Sequence, residues 1–261
     1  MTASTISPKP LWRKLLPPLF WLGVWQLSAF AIDCTMDGKG NELLLPYPAT
    51  VAVTLFSLAQ QSSFWLTVLA SLGRIVAGMV LGTVLGLLLA VLTCVCRLAD
   101  ELLSPAIRVI RATPVASFIL LVLLWVARSW VPVVIAALMV LPVVWANVSR
   151  GIRETDPQLL EMARAYRFSR AKTLRLVYLP SLQPYLLSSI TTSMGLAWKS
   201  GVAAEVLCLP AIAIGTQIHN TKFYLEIPQL FAWTVVVVTL SLIMEHILTT
   251  ALSGRKQRWQ L

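Results

Sequence analysis

The sequence predicts an all-α, polytopic membrane protein with about six transmembrane helices. Of its residues, 57% are hydrophobic and only 12% are charged, a balance that is untypical of soluble domains. Several apolar stretches reach the length of about 20 residues that a helix needs to cross a bilayer. The net charge of +10 would suggest a nucleic-acid partner for a soluble protein. Here the basic residues lie between apolar stretches, so no nucleic-acid partner is expected.

Six apolar spans are expected to alternate with polar connections. The predicted spans are residues 11–32, 65–95, 114–127, 131–149, 185–207 and 228–252. The outer connections are residues 33–42, an amphipathic interfacial helix at 48–61, a turn at 128–130 and a loop at 208–226. The inner connections are residues 97–111 and 150–184, with cytoplasmic tails at 1–10 and 253–261. Residues 11–252 would thus form one transmembrane domain.

The first apolar segment has two interpretations. The triplet Ala29-Phe30-Ala31 is similar to a signal-peptidase site, so a cleaved signal peptide is one alternative. We favour a retained helix, because the segment is long for a signal peptide and contains Pro17 and Pro18. The orientation of the remaining spans is the same in either case.

The distribution of basic residues predicts that orientation. Sixteen of the 21 Lys and Arg residues lie in segments that we place inside, and three lie in outer loops. Cytoplasmic loops of membrane proteins carry such an excess of basic residues. Both termini and residues 150–184 are therefore expected in the cytoplasm. The other two basic residues, Arg74 and Lys199, lie within predicted spans.

The second span contains a repeat of small residues. Gly78, Gly82 and Gly86 are four residues apart and therefore share one helix face. Small residues at this spacing let the backbone of a second helix approach closely. The alternative is that these glycines have no special role. We interpret them as a helix-packing seam.

The fifth span is the most polar. Its hydroxyl side chains form a stripe that is typical of a helix lining a pathway. Lys199 would attract an anionic solute or pair with Glu205, although a separation of six residues does not place both on one helix face. A structural charge pair or a side chain reaching the interface is the alternative, and Arg74 is interpreted as structural. The candidate pathway-lining residues are Ser189, Thr192, Ser193, Lys199, Ser200 and Glu205.

A basic segment with helical periodicity follows the fourth span. Asp156 can cap a helix, and Pro157 suits the first helical position because its missing N–H would be unpaired there. Apolar residues then recur at spacings of three and four over residues 157–166, which predicts a short amphipathic helix. The alternative is a solvated basic loop that only sets the topology.

A second short helix is expected directly afterwards. Ser169 can cap it, and its apolar side chains include Leu174 and Val177. Pro180 and Pro184 are expected to bend the chain back toward the bilayer. Two short helices at an angle would form a compact projection, which we call the knob and define as residues 156–184.

The knob resembles the EAA loop of permease subunits of bacterial ABC importers. The pattern of that loop is E-A-A, three residues, G, nine residues, I, one residue, L-P. Glu161, Ala163, Val177, Leu179 and Pro180 match it in register. Two positions depart from the pattern: Met162 replaces one alanine, and Arg167 stands at the usual glycine. A glycine would allow a left-handed turn there, whereas another residue loses roughly 1 to 2 kcal/mol in that conformation.

The resemblance extends over nearly the whole chain, to the nitrate, sulfonate and taurine branch of these permeases. The further segments that carry it are LPYPATV (45–51), SLGRIVAG (71–78), GLAWKSGVAAE (195–205) and IGTQI (214–218). It implies a type I ABC importer permease fold in the bacterial inner membrane. The implied partners are two ATP-binding subunits, a second permease copy as a homodimer and an extracytoplasmic binding protein. The implied solute is small, such as a sulfonate, nitrate or a vitamin precursor.

The resemblance also assigns residues for coupling to the ATP-binding subunits. These are Glu161, Met162, Ala163, Tyr166, Arg167, Phe168, Leu174, Val177, Leu179 and Pro180. Transport would be driven by ATP hydrolysis in the partner, because the chain contains no G-x-x-x-x-G-K-[ST] loop. Closure of the two ATP-binding subunits would then switch the pathway between inward- and outward-facing states.

No catalytic arrangement of Ser, His, Asp or Cys is visible, so the chain is not expected to be an enzyme. No cofactor or metal is expected, because the cysteine spacings do not resemble a metal site; Cys34 and Cys208 would be able to form a disulfide on the outer side. A gradient-driven secondary transporter is the alternative function. It would need an ion site and two related halves, and neither is evident. Proton relay by Glu245 and His246 is disfavoured by their position near the interface.

Overall fold

The computed structural model describes residues 11–36 and 40–257, and the secondary structure of these residues is helical. The predicted N-terminal tail and residues 258–261 lie outside the described residues. The helices are α1 (Leu11–Thr35), α2 (Gly40–Leu43), α3 (Pro48–Ala59), α4 (Ser62–Val95), α5 (Arg97–Ala112), α6 (Val115–Leu123), α7 (Val131–Arg153), α8 (Pro157–Ala165), α9 (Arg170–Thr173), α10 (Leu179–Cys208), α11 (Ile214–Phe223) and α12 (Ile227–Gln257). A π-helical turn, Leu174–Tyr178, connects α9 to α10.

The described chain divides into two compact units. The first contains the described part of Met1–Phe64 together with Gln217–Val236. In it, Asp33 at the end of α1 accepts hydrogen bonds from the Asn41 amide at 3.1 Å and the Tyr47 hydroxyl at 2.8 Å. The carboxylate of Asp33 therefore fixes the turn from α1 into α3, and it raises the pKa of the Tyr47 phenol through their hydrogen bond. A helix, α3, is present where the interfacial helix was predicted, and its position at the membrane interface stays a prediction.

The second unit comprises Trp65–Thr216 and Val237–Leu261, as far as it is described. Its centre is α7, whose buried face packs against α6 and α10. The side chains of Ile119, Val131, Ile135, Ala204 and Cys208 form a buried apolar cluster there. The amphipathic α5 also contacts α7. Burial of these apolar side chains stabilises the packing of α6, α7 and α10 against one another.

The three glycines of α4 lie against the backbone of α7. A Cβ atom added to Gly82 would lie 2.5 Å from the Ala137 carbonyl oxygen, and one added to Gly86 would lie 2.8 Å from that of Leu141. An added Cβ at Gly78 would collide with the Val133 carbonyl. Backbone atoms cannot move aside as the end of a flexible side chain can. Only glycine therefore fits at these positions without displacing one of the two helices.

The prediction of the third span is wrong. Residues 114–127 do not form one spanning helix: α6 has only nine residues, and the chain turns after Leu123. At about 1.5 Å per residue, nine residues cannot cross a hydrocarbon core of about 30 Å. The chain instead bends by 106° between α5 and α6, at Thr113 and Pro114. Pro114 explains the break, because it restricts the preceding residue to an extended conformation.

Two predicted connections also differ from the structure. Residues 97–111 were expected only as a cytoplasmic connection, without a helix being assigned, and they form the amphipathic α5. The outer loop at 208–226 contains the ten-residue α11. At the C-terminus, α12 continues to Gln257, beyond the boundary predicted for the tail. The four cysteines are free thiols. Because Cys34 and Cys208 belong to different units, the disulfide between them stays a prediction.

Length and composition identify three helices of the described residues that can cross a membrane. They are Ser62–Val95, Val131–Arg153 and Ile227–Ala251, and the bent pair α5–α6 would add a fourth. The helices α1 and α10 have 25 and 30 residues and fall outside this count. Both have the length of a span, at about 1.5 Å per residue.

Candidate coupling site and membrane-embedded polar cluster

The knob begins as the sequence predicts. The Asp156 side chain accepts a hydrogen bond of 2.8 Å from the Gln158 amide, and Pro157 occupies the first turn of α8. The carboxylate also complements the positive end of the helix dipole. The predicted cap and helix are therefore confirmed, with α8 ending one residue earlier than expected, at Ala165.

Arg167 ends α8 in a left-handed conformation, with φ of 48°. The Phe168 amide donates to the Ala163 carbonyl at 2.9 Å, and the Arg167 amide donates to that of Arg164 at 2.9 Å. This pair of bonds is a Schellman motif, which glycine usually terminates because it has no Cβ to clash. The turn that the EAA pattern assigns to glycine is thus present here with an arginine.

We expect Arg167→Gly to stabilise the knob by about 0.5 to 1 kcal/mol. Relief of the left-handed strain exceeds the conformational entropy that glycine loses on folding. Slower amide hydrogen exchange at residues 167 and 168, the two donors of the motif, would measure the gain. The matched control is Arg164→Gly, which lies inside the helix and should destabilise by about 1 kcal/mol. Equal destabilisation by both substitutions would contradict the assigned strain.

The second helix of the knob differs from its prediction at the C-terminal side. Ser169 caps α9 by accepting a bond of 3.3 Å from the Lys172 amide, as predicted. However, the helix does not end at Pro180 or Pro184: α9, the π-helical turn and α10 follow one another without a break. The Leu179 amide bonds to Leu174 across the wide turn. This wider turn accommodates Pro180, which lacks an N–H to continue the α-helical pattern.

The candidate coupling residues separate into exposed and buried groups. Ala163 and Val177 are buried, since α8 packs against the π-helical turn. Phe168 is half-buried and lies 4.2 Å from the Lys172 ammonium. The other candidates are exposed: Glu161, Met162, Tyr166, Arg167, Leu174, Leu179 and Pro180. The buried residues hold the knob together, and the exposed apolar residues are available to a partner.

A polar cluster that includes Glu205 lies inside the second unit. The Glu205 carboxylate is fully buried and forms an ion pair of 3.1 Å with Arg74 of α4. It also accepts bonds from the Ser71 hydroxyl at 2.8 Å and the Gly215 amide at 3.2 Å. The Ser71 hydroxyl in turn accepts from the Ile214 amide at 2.9 Å. The cluster thus fastens the start of α11 to α4 and α10.

Glu205 is therefore placed differently from the sequence hypothesis. Its partner is Arg74 rather than Lys199, which is exposed on α10. The ion pair joins residues 131 positions apart, so no local spacing rule finds it. The available signal was chemical: Arg74 lies within the second span and Glu205 within the fifth, the two charges are opposite, and buried charges need partners. Ser71 and Gly215 were not assigned any role from the sequence.

The remaining pathway candidates follow α10. Ser189, Ser193 and Ser200 are buried within the chain, and each hydroxyl donates to a backbone carbonyl of the preceding turn. Thr192 and Lys199 are exposed. Side chains that are buried inside the chain are not accessible from outside it, so only the exposed side chains of α10 are available to a solute or a second copy.

Comparison with protein families identifies the chain. Residues 82–256 match the family described as "Binding-protein-dependent transport system inner membrane component". The matched region includes the knob, α7, α10 and the carboxylate of the polar cluster. The chain belongs to this family. As a binding-protein-dependent permease it is a non-enzymatic transport subunit of a membrane protein complex, and its long apolar helices agree with a multi-pass inner-membrane protein.

Curated relatives of this permease carry transport names. It is 29% identical over 225 residues to the aliphatic sulfonates transport permease protein SsuC of Escherichia coli (strain K12), covering 84% of this chain and 83% of that one. It is 26% identical over 231 residues to the bicarbonate transport system permease protein CmpB of Synechocystis sp., covering 78% and 77%. These relatives are ABC importer permeases of the nitrate, sulfonate and bicarbonate branch, as the sequence resemblance implied.

A solved structure supports the fold. The chain resembles one from the "Crystal structure of an amino acid ABC transporter with histidines" with a TM-score of 0.58 and 19% identity. The match covers 72% of this permease and 90% of that chain. The permease therefore has the all-α fold of type I ABC importer permeases.

Proposed function

We propose that this permease imports a small anionic solute together with two ATP-binding subunits, a second copy of itself and a binding protein. The knob is the single observation that carries the coupling role. It presents Met162, Tyr166 and Leu174 to solvent, with Tyr166 73% exposed. Side chains of this kind are enriched at protein interfaces, and an exposed cluster of them marks a docking surface.

The connection between the knob and the membrane supports a mechanical role. Because α9, the π-helical turn and α10 are continuous, a displacement of the knob would be transmitted along α10. That helix packs closely against α7 and carries Lys199. Closure of the ATP-binding subunits would thus move α10 as a rigid element and alternate access to the pathway.

The orientation and the solute follow from charge. With 16 of 21 basic residues in the proposed inner segments, the knob and both termini would face the cytoplasm. The relatives are named for sulfonates and bicarbonate, which are both anions. The exposed Lys199 of α10 would supply positive charge in a pathway formed with the second copy.

Charge reversal at Glu161 tests the coupling role. We expect Glu161→Lys to reduce ATP-driven uptake at least tenfold in vesicles containing the assembled transporter, while the permease remains in the membrane. The exposed carboxylate contributes little to folding, so the loss would report the contact with the ATP-binding subunit. Ala163→Pro is a poorer test, because Ala163 is buried and its substitution would disrupt the knob itself.

The matched control is Glu101→Lys, another exposed carboxylate on the proposed cytoplasmic side, outside the knob. Its uptake should stay within twofold of the unmodified protein. Uptake by Glu161→Lys that equals the control would contradict the coupling role. Uptake that continues without ATP and stops when the ion gradient is dissipated would instead favour the secondary transporter.

A further inference from the structure

A cavity lies between α5 and the C-terminal half of α7, and none of its lining residues belongs to the knob or to the polar cluster. Its volume is about 530 Å³, which is within the range of small-molecule sites. Four arginines line it: Arg108, Arg111, Arg150 and Arg153. In the proposed orientation all four lie at the cytoplasmic side. Nothing in the coupling mechanism uses them.

The carboxylates of the cavity pair with only one of these arginines, Arg153. Asp100 accepts hydrogen bonds from Ser104 and from Arg153, the latter at 3.4 Å. Glu154 accepts a bond of 2.7 Å from the Tyr185 hydroxyl. Within the described part of the chain, Arg108, Arg111 and Arg150 form no ion pair. The cavity therefore has three guanidinium groups without an acidic partner, which suits an oxyanion.

Ser149 is an independent indication of a ligand. This residue lines the cavity and is only 6% exposed, yet its hydroxyl has no hydrogen-bond partner. Buried hydroxyls are normally paired, because an unpaired one has lost its hydrogen bonds to water without replacement. A bound acceptor atom would satisfy it.

Part of the cavity lining is apolar. Ile107, Pro142, Trp145 and Ala146 line it, and Trp145 is held in place by an indole N–H bond of 3.0 Å to Thr93. An inorganic anion alone would leave this surface against water. A ligand with a charged head and a short apolar or aromatic body would fill both parts.

We propose that this cavity is a cytoplasmic-side binding site for a small organic oxyanion, with its head on Arg108, Arg111 and Arg150 and its body against Trp145. The inference deepens the proposed function, since such a ligand is of the same class as the imported solute and would occupy the site after release. Ser149 donates its hydroxyl to the head.

Calorimetric titration of the purified full-length permease in neutral detergent tests the site. The probes are sodium sulfate, methanesulfonate and butanesulfonate. We expect saturable binding of butanesulfonate, with affinity rising about fourfold per added methylene, and weaker binding of sulfate. Arg108→Gln/Arg111→Gln should lower the affinity at least tenfold, because each guanidinium makes charge-assisted bonds. Ser149→Ala should lower it by about fivefold with unchanged folding, since no protein partner is lost.

Arg97→Gln is the matched control: it lies on α5 and pairs with Glu101 at 3.0 Å outside the cavity. Its affinity should be unchanged. Absence of saturable binding, or equal binding by the double variant and this control, would overturn the site. A third outcome is that one anionic phospholipid is recovered per chain, that it blocks the binding of butanesulfonate, and that it is absent from the double variant. This outcome would assign the cavity to a lipid and overturn the solute site. Binding to the isolated permease needs no ATP-binding subunit, so the Glu161 test can fail without affecting this result.

Discussion

Replacing Arg74 with methionine is expected to destabilise the permease by about 3 to 5 kcal/mol. The substitution leaves the Glu205 carboxylate fully buried without its charged partner, and removal of one member of a buried ion pair has an effect of this size. The arginine side chain is itself only 19% exposed, so solvent cannot replace it readily. Unfolding of the purified protein by denaturing detergent would measure the loss.

The effect should concentrate at the start of α11. The Glu205 carboxylate and the Ser71 hydroxyl accept the Gly215 and Ile214 amides, so these two N–H groups should exchange hydrogen faster in Arg74→Met. The double variant Arg74→Met/Glu205→Gln should recover part of the stability, because a neutral amide replaces the unpaired charge. A purely steric role for Arg74 would give no recovery.

Arg97→Met is the control for this prediction. The N···O distance of its ion pair with Glu101 is 3.0 Å, close to the 3.1 Å of the Arg74–Glu205 pair, but the two side chains are 94% and 61% exposed. Exposed pairs contribute about 0 to 1 kcal/mol, so the loss should stay below about 1 kcal/mol. If Arg74→Met and Arg97→Met destabilise equally, the buried cluster is not the fastening point that we infer.

The local features of the knob were predictable because they depend on neighbouring residues. The Asp156 and Ser169 caps reach only two and three residues along the chain. The left-handed turn was predictable only from the EAA pattern, since Arg167 conceals the glycine signal. The continuous helix through Pro180 was not predictable, because a single π-helical turn removes the conflict that proline normally creates.

Features that depend on distant contacts were predicted less well. Glu205 was paired with the nearest basic residue in sequence, whereas folding brings Arg74 to it from α4. The break after α6 was missed because residues 114–127 are uniformly apolar and hydropathy does not mark the turn. The helical character of α5 was not predicted, because residues 97–111 were interpreted only through their basic charge, although their apolar residues follow helical spacing.

The second substitution with a large expected effect on stability adds a methyl group at Gly82. We expect Gly82→Ala to destabilise the permease by about 1 to 3 kcal/mol, because overpacking of a tight contact costs this much. The new Cβ would lie 2.5 Å from the Ala137 carbonyl oxygen and 2.9 Å from the Ala137 Cα. Neither backbone atom can rotate away, so α4 and α7 must separate. The same detergent unfolding measurement would detect the loss.

Gly73→Ala provides a control on the same helix with the opposite expected sign. An added Cβ at Gly73 has nothing within 4 Å, so alanine should act only through helix propensity and stabilise by about 0.5 to 1 kcal/mol. The same glycine-to-alanine substitution would thus lower the stability of the permease at position 82 and raise it at position 73. Stabilisation at both positions would mean that α4 and α7 are not in close backbone contact. A loss at Gly82 alone would establish that this face of α4 holds α7 in place.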